Sequence, residues 1–135
     1  MKKLYKSMIF IAIGIFIMFL VFNLIFVDII SYEYDVNIKD GTAGINVDND
    51  KLHFGTISSI GVSKRPLRIE YAPSKSKVII KAYGDLSKYI STTENNFIID
   101  EGQIKEIEFI MDLAGSNAEN GKYNGKIVLF FIRGY

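Results

Sequence analysis

Residues 8–27 read MIFIAIGIFIMFLVFNLIFV, a run with no charged side chain and with Asn23 as its single polar residue. At about 1.5 Å of rise per helical residue, such a run reaches across the roughly 30 Å of hydrocarbon in a bilayer. Ile, Phe, Leu and Met fall on every face, so no helical period separates a wet side from a dry one. A helix apolar all round needs lipid or a very large core around it, and the 108 residues that follow cannot build that core. The run therefore predicts a transmembrane helix, with everything after it tethered to a membrane.

The flanks predict the orientation. Lys2, Lys3 and Lys6 precede the run, and Asp28, Glu33 and Asp35 follow it. Positive charge stays on the cytoplasmic side, so the N-terminus is expected inside and the remainder extracytoplasmic: a single-pass protein of the cell membrane. A cleaved signal peptide is the competing reading. Its apolar region is shorter and ends in small residues, whereas here bulky residues run through to Tyr32, which favours an uncleaved signal anchor. No Leu-x-x-Cys lipobox occurs, and Lys6-Ser7 lacks the Gly of a pilin-type leader. Gly14 has no small partner at four-residue spacing, so no small-residue packing face is expected. Asn23 is expected to reach toward the interface. The domain boundaries follow: residues 1–31 form a cytoplasmic stub and anchor, and residues 32–135 an extracytoplasmic domain.

The formal net charge of +1 hides a split. The first 27 residues carry three lysines and no acid, while residues 28–135 hold 13 Lys/Arg against 15 Asp/Glu. A near-neutral domain gives no broad field for nucleic acid. The absence of cysteine excludes disulfides, thiolate nucleophiles and Cys-based metal sites, and leaves the redox compartment open.

After Ile30 the pattern changes to a period of two. Tyr32, Tyr34, Val36 and Ile38 alternate with Glu33, Asp35, Asn37 and Lys39, as in a strand with one buried face. Asp40-Gly41 signals a turn. Ile45 and Val47 alternate again before Asp48-Asn49-Asp50 turns the chain. Leu52–Gly55, Leu67–Tyr71, Val78–Tyr83, Phe97–Ile99, Ile107–Leu113 and Lys126–Arg133 read as further strands. Gly61 marks a turn, Pro66 stands at the opening of its strand, and Leu86–Ile90 is ambiguous. Seven or eight short strands with turn signals between them predict an all-β antiparallel β-sandwich preceded by one N-terminal transmembrane α-helix.

Glu119, Gly121 and Tyr123 carry the most specific local signal. Immunoglobulin-like domains place an acidic residue, a Gly or Ala and a Tyr at this spacing ahead of the penultimate strand. There the Tyr hydroxyl bonds back to upstream backbone and pins a corner. Gly125 stands where antibody domains carry cysteine. A plain hairpin on Asn120-Gly121 or Asn124-Gly125 is the alternative.

Leu52-x-Phe54-Gly55-Thr56-Ile57, Gly61, Leu67-x-Ile69-x-Tyr71 and Gly121-x-Tyr123-x-Gly125-x-Ile127 together resemble the ASH, major sperm protein and PapD-like group of immunoglobulin-fold domains over about residues 45–133. The resemblance implies a binding or scaffolding module with no catalytic centre of its own. In layout alone the chain is also similar to archaellum stator proteins, with one N-terminal helix and an outward β-sandwich. If Lys126–Arg133 is the penultimate strand, its open edge invites a partner. Tyr32–Ile38 of the same chain or a strand from a neighbour can fill it.

Little chemistry is visible. His53 is the only histidine and is expected to be solvated or at a sheet edge. Asn46, Asp48 and Asp50 have spacing suited to calcium, but lack the Gly and distal Glu of an EF-hand loop, so a polar turn is the simpler reading. Lys64, Arg65, Arg68, Lys75, Lys77 and Lys81 form the densest basic cluster, a candidate patch for anionic headgroups or an acidic partner, or else a solvated face. No nucleotide loop, nucleophile motif or metal spacing occurs. The expectation is a membrane-anchored, non-enzymatic module without cofactor, metal, nucleic acid or small-molecule substrate, whose partners are the bilayer and a protein of the cell envelope. A subunit of a surface filament or its basal machinery is the alternative.

Overall fold

A computed structural model describes residues 2–41, 51–70, 72 and 74–133, with no side-chain placement for Lys2, Lys3 and Val27. The expected strand at Ile45 and Val47, the turn at Asp48–Asp50, the Asn46/Asp48/Asp50 set and the strand end at Tyr71 lie outside the described residues.

The apolar run forms α1 (Lys2–Ile25). Leu4–Ile25 has a mean hydropathy of 2.9 and no burial against the rest of the chain, so it is long and apolar enough to cross a bilayer. The Asn23 amide donates to the Phe19 carbonyl at 2.8 Å, satisfying itself within its own helix instead of reaching outward. The helix stops at Ile25, short of Val27, and the chain passes without a linker into β1 (Phe26–Ile38). Residues 26–30 have a strand partner in β8, and that pairing overrides an apolar pattern that would otherwise extend the helix. The β region thus begins ahead of the expected boundary between residues 31 and 32.

The remaining elements are β2 (Leu52–Ile57), β3 (Val62–Ile69), β4 (Ser76–Gly84), one 3-10 turn (Ser87–Tyr89), β5 (Ile90–Thr92), β6 (Phe97–Ile99), β7 (Lys105–Asp112) and β8 (Gly121–Arg133). They form a five-stranded sheet ordered β2-β1-β8-β4-β6 and a three-stranded sheet ordered β3-β7-β5. The β1–β2 pair is parallel, and the other neighbours are antiparallel. Tyr32–Ile38 therefore lie beside β8 within their own chain. Pro66 falls inside β3, not at its opening. It is tolerated because β3 is an edge strand whose outer N–H groups need no ladder partner.

One hydrophobic cluster joins the two sheets. Tyr34, Val36 and Ile38 of β1 and Ile127, Leu129 and Phe131 of β8 meet Ile107, Phe109 and Met111 of β7. The period-two alternation thus marks the buried faces. The end of β1 is tied to the β2–β3 turn, where Lys39 N–H donates to the Ile57 carbonyl at 3.0 Å. Asp40 Oδ1 accepts from the Ser59 backbone N–H at 3.0 Å and from its hydroxyl at 2.9 Å. These two bonds, the backbone one foremost, hold the Asp40 carboxyl below the usual carboxylate range.

Candidate functional site

Tyr34 is the anchor of the buried face. Its cross-strand neighbours are Gly125 on β8 and, one strand further, Gly84 on β4. The ring is 1% exposed and meets Phe54 edge-on, with centroids 6.1 Å apart at 81°. A Cβ on Gly125 would stand 2.2 Å from the Tyr83 carbonyl and 2.4 Å from the Tyr34 hydroxyl. Only glycine lets the phenol lie across these strands. Among the described residues its hydroxyl finds no hydrogen-bond partner. Burial, and secondarily the charge of Asp85, raise its pKa.

Glu119, Gly121 and Tyr123 lie where β8 begins. The Tyr123 hydroxyl donates to the Glu119 carbonyl at 2.9 Å. Asn124-Gly125 runs within β8 and is not a turn.

His53 sits on edge strand β2, yet its ring is buried, with 8% residue exposure. Its Nδ1 is 2.7 Å from Asp35 Oδ1, a partner that the sequence did not reveal because the two residues meet only through the parallel β1–β2 register. A shallow cleft beside this pair is lined by Glu33, Tyr34, Asp35, Lys51 and Asn124. Among the described residues no three His, Cys, Asp or Glu side chains gather as a metal site.

The six basic residues do not share a face. Lys64, Arg65 and Arg68 are on β3, in the three-stranded sheet, while Lys77 and Lys81 are on β4 in the other, with Lys75 just ahead of it. The segment after Ile69 carries the chain from one sheet to the other and separates the group. Lys64 pairs with Glu108 at 3.6 Å and Arg68 with Glu70 at 3.0 Å. Arg65 donates through Nε to the His53 carbonyl, and Ser63 donates its hydroxyl to the Phe54 carbonyl at 2.8 Å. These side chains occupy backbone acceptors of edge strand β2. The edge of β4 beyond Val78 is likewise covered, since the Asn95 amide exchanges bonds of 2.8 and 2.9 Å with the Ile80 backbone.

No family model, curated protein or solved structure matches the chain.

Proposed function

We propose that this chain is a single-pass membrane-anchored module that presents an immunoglobulin-like β-sandwich to a protein partner on the extracytoplasmic side of the cell envelope. The observation that carries this reading is the 22-residue apolar segment Leu4–Ile25, exposed on every face and followed at once by a strand of the β body. The basic N-terminus and acidic exit support an inside-to-outside orientation.

Strand order supports the immunoglobulin-like type. In constant-type domains strands G, F and C are neighbours in one sheet and B, E and D in the other. Here β1, β8 and β4 occupy the first set of positions and β3, β7 and β5 the second. Tyr123 supplies the bond of a tyrosine corner. On this reading the strand in the place of G comes first in the chain, joined directly to the anchor. The lack of a nucleophile beside His53 and Asp35 among the described side-chain bonds favours binding over catalysis.

The test uses the cysteine-free background. In intact cells a membrane-impermeant maleimide should label Glu106→Cys and not Ser7→Cys, and crosslinking in those membranes should capture an envelope protein. Recovery of the full chain as a monomer in the aqueous fraction, without detergent, would overturn the reading.

A further inference from the structure

The outer face of the five-stranded sheet changes character along its strands, and the change starts at α1. Nearest the helix, Phe26, Ile132, Lys77 and Ile98 are cross-strand neighbours. The next outward row is Ile29, Phe130 and Ile79. Ser31, Val128 and Lys81 follow, and then Glu33, Lys126 and Tyr83. Between these rows Val78, Ile80, Leu129 and Phe131 are buried, which fixes the rows as outward-facing. Phe22 and Phe26 lie 4.7 Å apart and Phe26 and Phe130 6.2 Å apart between ring centroids, so aromatic contact runs from the helix onto this face. Ile98 is 55% exposed and Ile29 41%. A sheet face turned to water along its whole length is polar throughout, unlike this one.

Depth explains the gradient. Leu4–Ile25 spans about 33 Å as a helix, enough to fill the hydrocarbon, so Phe26 leaves it at the acyl–headgroup boundary. Outward rows in a strand recur about every 6.6 Å, and one headgroup layer is roughly 5–8 Å thick. The two apolar rows therefore span the headgroup layer from its acyl boundary to about its outer limit, and the Lys81 row lies about 13 Å out, from where the long lysine stem reaches back toward the phosphates. Lys77 and Lys81 have no carboxylate within ion-pair distance among the described residues, whereas Lys64, Arg68 and Lys105 of the other sheet each have one.

We propose that this end of the five-stranded sheet is a lipid-contact surface. Its apolar rows bed into the acyl–headgroup boundary, and Lys77 and Lys81 take the phosphates of anionic phospholipid. The proposal rests on the membrane-anchor reading above. It holds this end of the body against the bilayer in one orientation, with the Glu33, Lys126 and Tyr83 row turned to the aqueous side.

Fluorophores on Ile15→Cys, Ile98→Cys and Lys122→Cys in the full chain test it. The chain is reconstituted in vesicles of phosphatidylcholine, alone or mixed equally with phosphatidylglycerol, containing lipid with a nitroxide high on the acyl chain. Ile15→Cys and Ile98→Cys should be quenched, the latter several-fold more than Lys122→Cys, which lies at the far end of β8 opposite Asn37. Quenching at Ile98→Cys should rise with phosphatidylglycerol, and Lys77→Gln with Lys81→Gln should abolish that rise, since each lysine at an anionic surface is worth roughly fivefold in partitioning. Quenching of Ile15→Cys with Ile98→Cys no more quenched than Lys122→Cys overturns the lipid face and leaves the anchor intact. Loss of quenching at Ile15→Cys overturns the anchor and the face together. An Ile98→Cys disulfide between copies, shielded from lipid, overturns the proposal in favour of a second copy as occupant. Quenching at Ile98→Cys that is equal in both lipids overturns the headgroup role of the lysines.

Discussion

Gly125→Ala tests the central packing. The added Cβ would stand 2.2 Å from the Tyr83 carbonyl oxygen, 2.4 Å from the Tyr34 hydroxyl and 2.5 Å from Tyr34 Cζ. The first atom is backbone held in the β4–β8 ladder, and the ring is wedged against Phe54, so neither can withdraw freely. Overpacking a core costs about 1–3 kcal/mol and more where backbone must move. A loss of at least about 3 kcal/mol is expected here. In a body of roughly 100 residues each kcal/mol lowers Tm by about 4–8 °C, so Tm should fall by at least about 12 °C. Gly102→Ala is the comparison. That residue has φ +70 and nothing within 4 Å of a Cβ, so it should lose only about 1 kcal/mol of left-handed backbone strain. Thermal unfolding of the full chain in detergent, followed by circular dichroism, measures both. Tyr34→Leu combined with Gly125→Ala should be more stable than the two separate losses predict, because the leucine removes two of the three close approaches. A Gly125→Ala chain that melts no lower than Gly102→Ala would refute the argument.

Three further outcomes follow from single groups. Tyr34→Phe should raise stability by about 1 kcal/mol in chemical denaturation, since it deletes a buried hydroxyl that has no partner among the described residues. Because the folded state raises the Tyr34 pKa, its contribution is complete below the ordinary tyrosine value near 10 and is lost as pH climbs through the raised one. The phenylalanine variant should therefore show a shallower alkaline decline in stability. Tyr123→Phe should cost up to about 1 kcal/mol by removing the bond to the Glu119 carbonyl, visible as a lower denaturant midpoint at unchanged m-value. Asp40 has a lowered pKa, so its contribution is present above the ordinary carboxylate range and disappears as pH falls through the folded value. Asp40→Asn should flatten that acid limb in melts taken across pH.

Much of the body was legible because burial leaves a period of two. Ile107, Phe109, Met111 and Leu113 alternate in the sequence and are all buried. The start of β1 was not legible. The same apolar letters serve lipid and a paired strand, and only β8, far along the chain, decides that Phe26 is the first strand residue. The basic residues are divided for a similar reason, since neighbours along the chain are separated when it crosses between sheets. Tyr34, Gly84 and Gly125 are widely spaced in sequence and meet through register alone. The His53–Asp35 contact needed a parallel pair, for which a sequence gives little sign.

The pairing of β1 with β8 sets the order in which this body can be assembled. Bringing Ile38 and Gly121 together closes a long loop, at an entropic cost of about 4 kcal/mol before any contact repays it. In a chain made from its N-terminus, β1 and β4 both wait with one bare edge for the strand that will sit between them. A product broken off ahead of β8 can complete neither, and leaves β1 and β4 each with one open edge.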